Sequence, residues 1–266
     1  MRLIFFVVLF STAILQQAYA QVINADRNVA SDSLHPKRPK GVLGISGSAD
    51  KQKKNLVDLS SSADFSFFLP ARHVAVLLMR NDLTTNGSDI IQNAGMFHLR
   101  FRDNDSRIIY PEAFFQFQWN GVLGMEGRTL VGVNARWKVI HENEHDLFVG
   151  LGLMSENESW NFNGVPEDRI PITKPERITV HRLRLNHYIK WAWKLSSKTD
   201  FVLFNFLQAP SSSVLHPRLA SHASVNFNPT SLLGFSIVFD SMYDTRPVVP
   251  IDKYYYSLKA SINLSF

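Results

Sequence analysis

The sequence predicts an all-β chain wound as an antiparallel up-and-down transmembrane β-barrel of about 12 strands, and three observations predict it. Apolar and polar residues alternate in segment after segment, the period-two pattern of strands with one oily and one wet face. The connections alternate between short and mostly longer ones, the layout of a membrane barrel with turns on one side and loops on the other. After residue 20 no run of about 18 uncharged apolar residues occurs, so the sequence contains no helical membrane span there.

Taken in chain order, MRLIFFVVLFSTAILQQAYA sets Arg2 ahead of an apolar run from Leu3 to Phe10 and ends on A-Y-A at Ala20. That is the pattern of a cleaved secretory signal peptide over residues 1–20, and Gln21 rather than Cys follows it, so no lipid anchor is expected. Residues 21–39 lack alternation and are expected to form an irregular periplasmic arm, with the barrel over residues 40–266. Strands are expected near 40–49, 56–68, 73–81, 91–102, 109–119, 129–140, 146–157, 178–194, 200–208, 218–227, 231–243 and 253–266. A tilted spanning strand needs about 9–11 residues, which most of these supply.

The alternation also phases most strands. Phe97, Leu99 and Phe101 oppose His98, Arg100 and Arg102; Val131, Val133, Ala135, Trp137 and Val139 oppose Asn134, Arg136 and Lys138. Leu183, Leu185, Ile189, Trp191 and Trp193 oppose Arg182, Arg184, Lys190 and Lys194. Segments 73–81 and 200–208 are apolar on both faces and give no phase. The short connections are LPARH, RDNDSR, HENEHD, LSSKTD and FNPTS. The longer set is NDLTTNGSD, WNGVLGMEGR, residues 157–177, QAPSSSVLHPR and SMYDTRPVVPID, with ADKQKKN a brief exception. An even strand number puts both chain ends on the short-turn, periplasmic side. Trp119, Trp137, Trp160, Trp191, Trp193, Tyr110, Tyr188 and Tyr254 to Tyr256 are the expected interface girdles.

The chain closes on KYYYSLKASINLSF, in which Tyr254, Tyr256, Leu258, Ala260, Ile262, Leu264 and Phe266 share a face. A last strand ending on an aromatic residue resembles the C-terminal signal of bacterial outer-membrane barrels. That resemblance implies that Phe266 is an assembly signal, with outer-membrane lipid and the barrel assembly machinery as partners. The stretch FSIVFDSMYDTRPVVPIDKYYYSLKASINLSF, with Tyr243-Asp244-Thr245-Arg246-Pro247 and then Asp252, resembles the salt-induced outer-membrane protein family over roughly residues 125–266. Those are exported barrels of unknown biochemical function, so the resemblance implies a fold and a location in the bacterial outer membrane and transfers no site residues.

Several motifs invite a chemical reading. HENEH, from His141 to His145, spells the zinc metalloprotease motif, which requires a helix to bring both imidazoles to one face. Here it lies in a gap between two alternating segments, where a turn fits. Ser221-His222-Ala223-Ser224 puts His222 and Ser224 on one face of a strand, where the imidazole could serve as base to the hydroxyl. A pair of this kind resembles that of some outer-membrane lipid hydrolases, but the sequence offers no third member, and the phase turns both residues inward. GVLGMEGR lacks the Lys-Ser/Thr of a phosphate loop, the absence of Cys excludes a thiolate metal site, and Asp-rich calcium spacing is absent, so no cofactor and no metal are expected. Asn157-Glu158-Ser159 is a glycosylation sequon with meaning only in a eukaryotic secretory route. A net charge of +5 is too small to argue for nucleic acid, and export argues against it.

The inner face carries the functional expectation. A charge on the lipid side would cost about 2–4 kcal/mol near the midplane, so the polar faces belong inside. That places Arg100, Arg102, Arg136, Lys138, Arg182, Arg184, Lys190, Lys194 and Lys259 in the lumen, against few acids, mainly Asp64, Glu112 and Asp240. A cation-lined passage attracts anions, so a narrow anion-preferring pore for small solutes is expected. The alternative is a closed barrel without transport, its interior filled by Arg and Lys paired with Asp64, Glu112, Gln116 and Gln118. A third reading is a lipid hydrolase using His222 and Ser224.

Overall fold

The structure is a computed structural model that describes residues 39–51, 54–103 and 108–265. The expected signal peptide, residues 21–38 of the expected arm, and Phe266 lie outside the described residues.

Among the described residues twelve strands form: β1 (Lys40–Lys51), β2 (Asn55–Phe68), β3 (His73–Asn86), β4 (Asp89–Asp103), β5 (Ile109–Asn120) and β6 (Met125–His141), then β7 (His145–Trp160), β8 (Ile178–Lys194), β9 (Thr199–Pro210), β10 (Arg218–Phe227), β11 (Leu233–Asp244) and β12 (Tyr254–Ser265). Each pairs antiparallel with its sequence neighbours, and β1 pairs with β12 to close the barrel. Closure satisfies the strand edges that an open sheet would leave bare in lipid. Among the described residues, the only helical pieces are single 3-10 turns at Pro70–Arg72, Gly121–Leu123 and Glu167–Arg169.

The alternation read from sequence is the alternation of burial. On β5, Tyr110, Glu112, Phe114, Gln116 and Gln118 are buried, whereas Ile109, Phe115 and Phe117 are exposed on the outer face. The unphased strands now have a phase: Val74, Val76 and Leu78 point inward from β3, and Val202, Phe204 and Phe206 from β9. Both faces of these strands are apolar because the interior is packed there. The Phe204 and Phe206 rings stack 4.9 Å apart beside Tyr188.

Strand ends differ from expectation. NDLTTNGSD is mostly strand: β3 runs to Asn86 and β4 starts at Asp89, with Gly87 in the left-handed region (φ 65°) at the turn. WNGVLGMEGR is likewise two strand ends around the turn at Gly121–Leu123, closed by Gly124 at φ 76°. A Cβ on Gly124 would lie 2.6 Å from the Asn161 carbonyl oxygen, so glycine is required twice over. The long connections are therefore 161–177, 211–217 and 245–253, all on one side. β6 and β8 reach 17 residues. At ~3.3 Å per residue and ~45° tilt such a strand rises roughly 40 Å, beyond an apolar band of about 25 Å.

The expected girdles are corrected too. Trp160, Tyr110 and Tyr188 are buried in the interior, and Tyr255 also points inward, because each shares the phase of the lumen residues on its strand. Trp191 and Trp193 stack at 5.7 Å with His145 near the short turns, while Trp119, Tyr254 and Tyr256 sit toward the loops.

Candidate functional site: the barrel interior

Three charged zones divide the lumen. Near the short turns, β4, β6 and β8 bring Arg100, Arg102, Arg136, Lys138 and Lys190 together around aromatic rings. The Arg136 guanidinium lies 3.7 Å over the Phe148 ring, with the Lys138 and Lys190 ammonium groups 5.9 Å and 5.7 Å from the same ring. Lys138 also faces Tyr110, and Arg100 lies 5.8 Å over Tyr188. Ring faces offer these cations a soft electrostatic partner that does not neutralise them. Glu112 supplies a carboxylate here: Arg136 Nη1 donates to it at 3.4 Å, Arg100 Nη1 stands 4.0 Å away, and the Tyr188 hydroxyl donates to it at 2.5 Å.

Toward the long loops the balance changes. Arg128 donates to Glu156 through Nε at 2.8 Å and Nη2 at 2.5 Å, and its Nε lies 3.2 Å from Glu158. Arg184 pairs with Glu156 as well. Arg218, on β10, reaches Glu156 and Glu158 on β7, each at 3.0 Å, and Asp244 on β11 at 2.8 Å. Arg182 stands 3.4 Å from Glu158. β10 and β7 are not neighbours in the sheet, so Arg218 links strands through the interior.

The third zone lies on the wall of β2, β3 and β10 to β12. Arg80 pairs with Asp64, Lys259 donates to Asp82 at 2.6 Å, and the His222 imidazole Nδ1 lies 2.7 Å from Asp240. Lys259 and Asp82 also stand on strands that are not adjacent.

Of the lumen cations expected from sequence, Arg100, Arg102, Arg136, Arg184 and Lys190 are buried inside, and Lys138, Arg182 and Lys259 are half-buried. Lys194 is instead exposed at the end of β8, where the strand runs past the packed interior. Asp64 and Glu112 are buried and Asp240 is half-buried. The expectation of few lumen acids is corrected by Asp82, Glu156, Glu158 and Asp244, all buried. Arg80, Arg128 and Arg218 were missed on the cationic side. The strands run farther than their expected ends, or were unphased, and the overlooked residues stand mostly at those ends. Gln116 and Gln118 bond each other at 2.5 Å, and Gln116 also lies 3.3 Å from His98.

The segment after β7 folds over the loop-side mouth. Phe162 and Val165 join Leu123, Met125, Trp160, Val249 and Ile251 in one buried apolar cluster, and Arg169 bridges to Asp252 at 2.7 Å. Three connections thus form a cap directly above the Glu158 layer.

The structure supplies an acid for His222 in Asp240, which sequence could not identify. It brings no hydrogen bond between His222 and Ser224; the Ser224 hydroxyl accepts from the Asn226 amide at 3.5 Å, and both side chains face the lumen. HENEH spans the β6–β7 turn, with His141 Nδ1 2.5 Å from Asp146, so the helix its metal chemistry needs is missing.

No family model and no curated relative matches the chain. Solved structures similar to it include two porins and a translocator domain. The NanC porin aligns over 85% of this chain and 97% of its own, at 9% identity and a TM-score of 0.44. The KdgM porin aligns over 85% and 99%, at 6% identity and a TM-score of 0.43. The translocator domain of the autotransporter NalP from Neisseria meningitidis aligns over 86% and 87%, at 11% identity and a TM-score of 0.45.

Proposed function

We propose that the protein is a bacterial outer-membrane barrel that forms a narrow, anion-preferring pore for small solutes. The observation that carries this reading is the gathering of Arg100, Arg102, Arg136, Lys138 and Lys190 at the short-turn end, three of them arranged around one Phe148 ring. A low-dielectric wall focuses the field of such a cluster and raises the local concentration of anions. The apolar outer face supports the location, as does the resemblance of the closing segment to the salt-induced outer-membrane barrels. The cap and the crossing ion pairs make the passage narrow.

Planar-bilayer recording of the refolded chain under a salt gradient tests it. Stepwise anion-selective currents are expected, with the permeability ratio falling toward unity when Lys138 and Lys190 become Gln. A barrel that runs as a folded species in unheated gels yet passes no current would refute the pore. The second reading, a closed barrel without transport, is favoured by one observation: Arg128, Arg184 and Arg218 knit Glu156, Glu158 and Asp244 into a network across the interior.

A further inference from the structure

A polar row interrupts the apolar outer wall across β8, β9, β10 and β11: His187, Asn205, Ser221 and Ser241. All four have the outward phase. Their strand neighbours Tyr188, Phe204, Phe206 and His222 are buried inside, whereas Leu185, Ile189, Leu207 and Leu219 beside them are exposed on the outer face. Asn205 stands in register with Ile189 on one side and Ser221 on the other, and Ser221 with Ser241. His187 registers with Leu207, one diagonal step from Asn205.

The row lies at the depth of lipid chains. Phe201 registers with Trp193 and meets Trp191 edge-on near the short turns. Asn205 is four residues farther along β9, which at ~3.3 Å per residue and ~45° tilt places it roughly 9 Å into an apolar band of about 25 Å. Acyl chains offer no hydrogen-bond partner there, so a polar side chain is costly unless protein supplies one. The Ser221 hydroxyl donates to the Asn205 carbonyl oxygen at 2.6 Å. Among the described residues nothing accepts from the Asn205 amide nitrogen, and no side chain bonds the His187 ring.

A carboxamide carries both donors and an acceptor, so it can pair with its own copy. A neutral imidazole, with one donor and one acceptor nitrogen, can do the same. A two-fold axis along the membrane normal keeps each residue at its own depth, so Asn205 of one copy meets Asn205 of the other. The wall is therefore complementary to itself, polar row against polar row with apolar flanks on both sides.

We propose that the β8–β11 wall is a self-association surface that joins two copies of this chain side by side in the membrane, with Asn205 at its centre. The inference rests on the proposed outer-membrane location and does not depend on transport.

The chain has no Cys, so single cysteines report the interface directly. Refolded into phospholipid vesicles and oxidised with copper phenanthroline, Leu207→Cys should give a covalent dimer. Met79→Cys, exposed on β3 at the opposite side of the barrel, should stay monomeric. In sedimentation equilibrium in density-matched detergent the unaltered chain should dimerise. Asn205→Leu should weaken the dimer about tenfold, the loss of two interchain hydrogen bonds at a factor of a few each. That variant should keep the folded band in unheated gels, because Leu suits an outer wall. A folded monomer at every protein concentration, equal crosslinking from Met79→Cys, or undiminished association of Asn205→Leu overturns the proposal. So does an adduct of Leu207→Cys, in whole outer membranes, with another protein and not with itself. A chain that does not enter vesicles as a folded species removes the membrane location and the interface with it. Conductance is read separately: dimers without current keep the interface and remove the pore, and a conducting monomer does the reverse.

Discussion

Arg218 concentrates what a single buried cation does in this interior. Its guanidinium is 3% exposed and touches three carboxylates on two strands, Glu156, Glu158 and Asp244. Desolvating so many charges is costly, and the network is tolerable because each donor and acceptor finds a partner. Removing the cation strands the anions. Arg218→Met should therefore destabilise the barrel by about 3–5 kcal/mol in urea titrations of the lipid-refolded protein, more than Arg182→Met at the half-buried edge of the network. Equal, small losses from both would mean that water already screens the network. Little of this was legible beforehand. Arg218 opens an expected strand, Asp244 and Glu158 fall one residue beyond expected ends, and Arg128 one residue before another. Period two assigns a side to residues within a strand, but where a strand stops depends on partners far along the chain.

At the scale of elements the seam stands apart. Among the described residues, β1 and β12 share four registered pairs, Val42↔Ser265 to Ile45↔Ile262, whereas β7 and β8 share sixteen. Ser46–Lys51 of β1 pairs with β2 alone, and Tyr254–Ser261 of β12 with β11 alone. A strand bonded on one side opens more readily than one bonded on both. Hydrogen exchange at Gly47–Asp50 and Tyr256–Lys259 should run at least about tenfold faster than at Leu151–Asn157. Uniform protection would mean that the seam zips fully in the bilayer. The existence and order of the strands could be read from the sequence, most of them from alternation, the C-terminal strand included, and those near 73–81 and 200–208 from apolar runs that gave no phase. Their lengths could not: Asn81, Asp82, Thr84 and Thr85 look like loop residues, yet they are strand because a strand facing the lumen or standing above the apolar band tolerates polar side chains.

For the molecule as a whole, the mouths differ. The short-turn end is rich in cations and aromatic rings, while the loop end is covered by the cluster of Trp160, Phe162, Val165, Val249 and Ile251, pinned by Arg169–Asp252. If the lumen is a path, the cap is its main steric obstacle. Replacing residues 162–176 by an Asn-Gly turn should raise single-channel conductance severalfold with selectivity kept, because the basic zone lies at the other end. Unaltered conductance would place the constriction at the Arg218 network instead.

By itself the sequence determined the barrel: the period-two alternation, the connections and the absence of a helical span past residue 20 are local, and each depends only on neighbouring residues. It also determined which face Arg100, Arg136, Arg184 and Lys190 occupy, since a charge in lipid is too costly to leave outside. Only the tertiary structure decided which charges meet. Arg218 with Glu158, Lys259 with Asp82 and Tyr188 with Glu112 lie 60, 177 and 76 residues apart along the chain. No local pattern encodes such a contact, because it arises from barrel closure and register, which bring opposite walls within the length of one side chain.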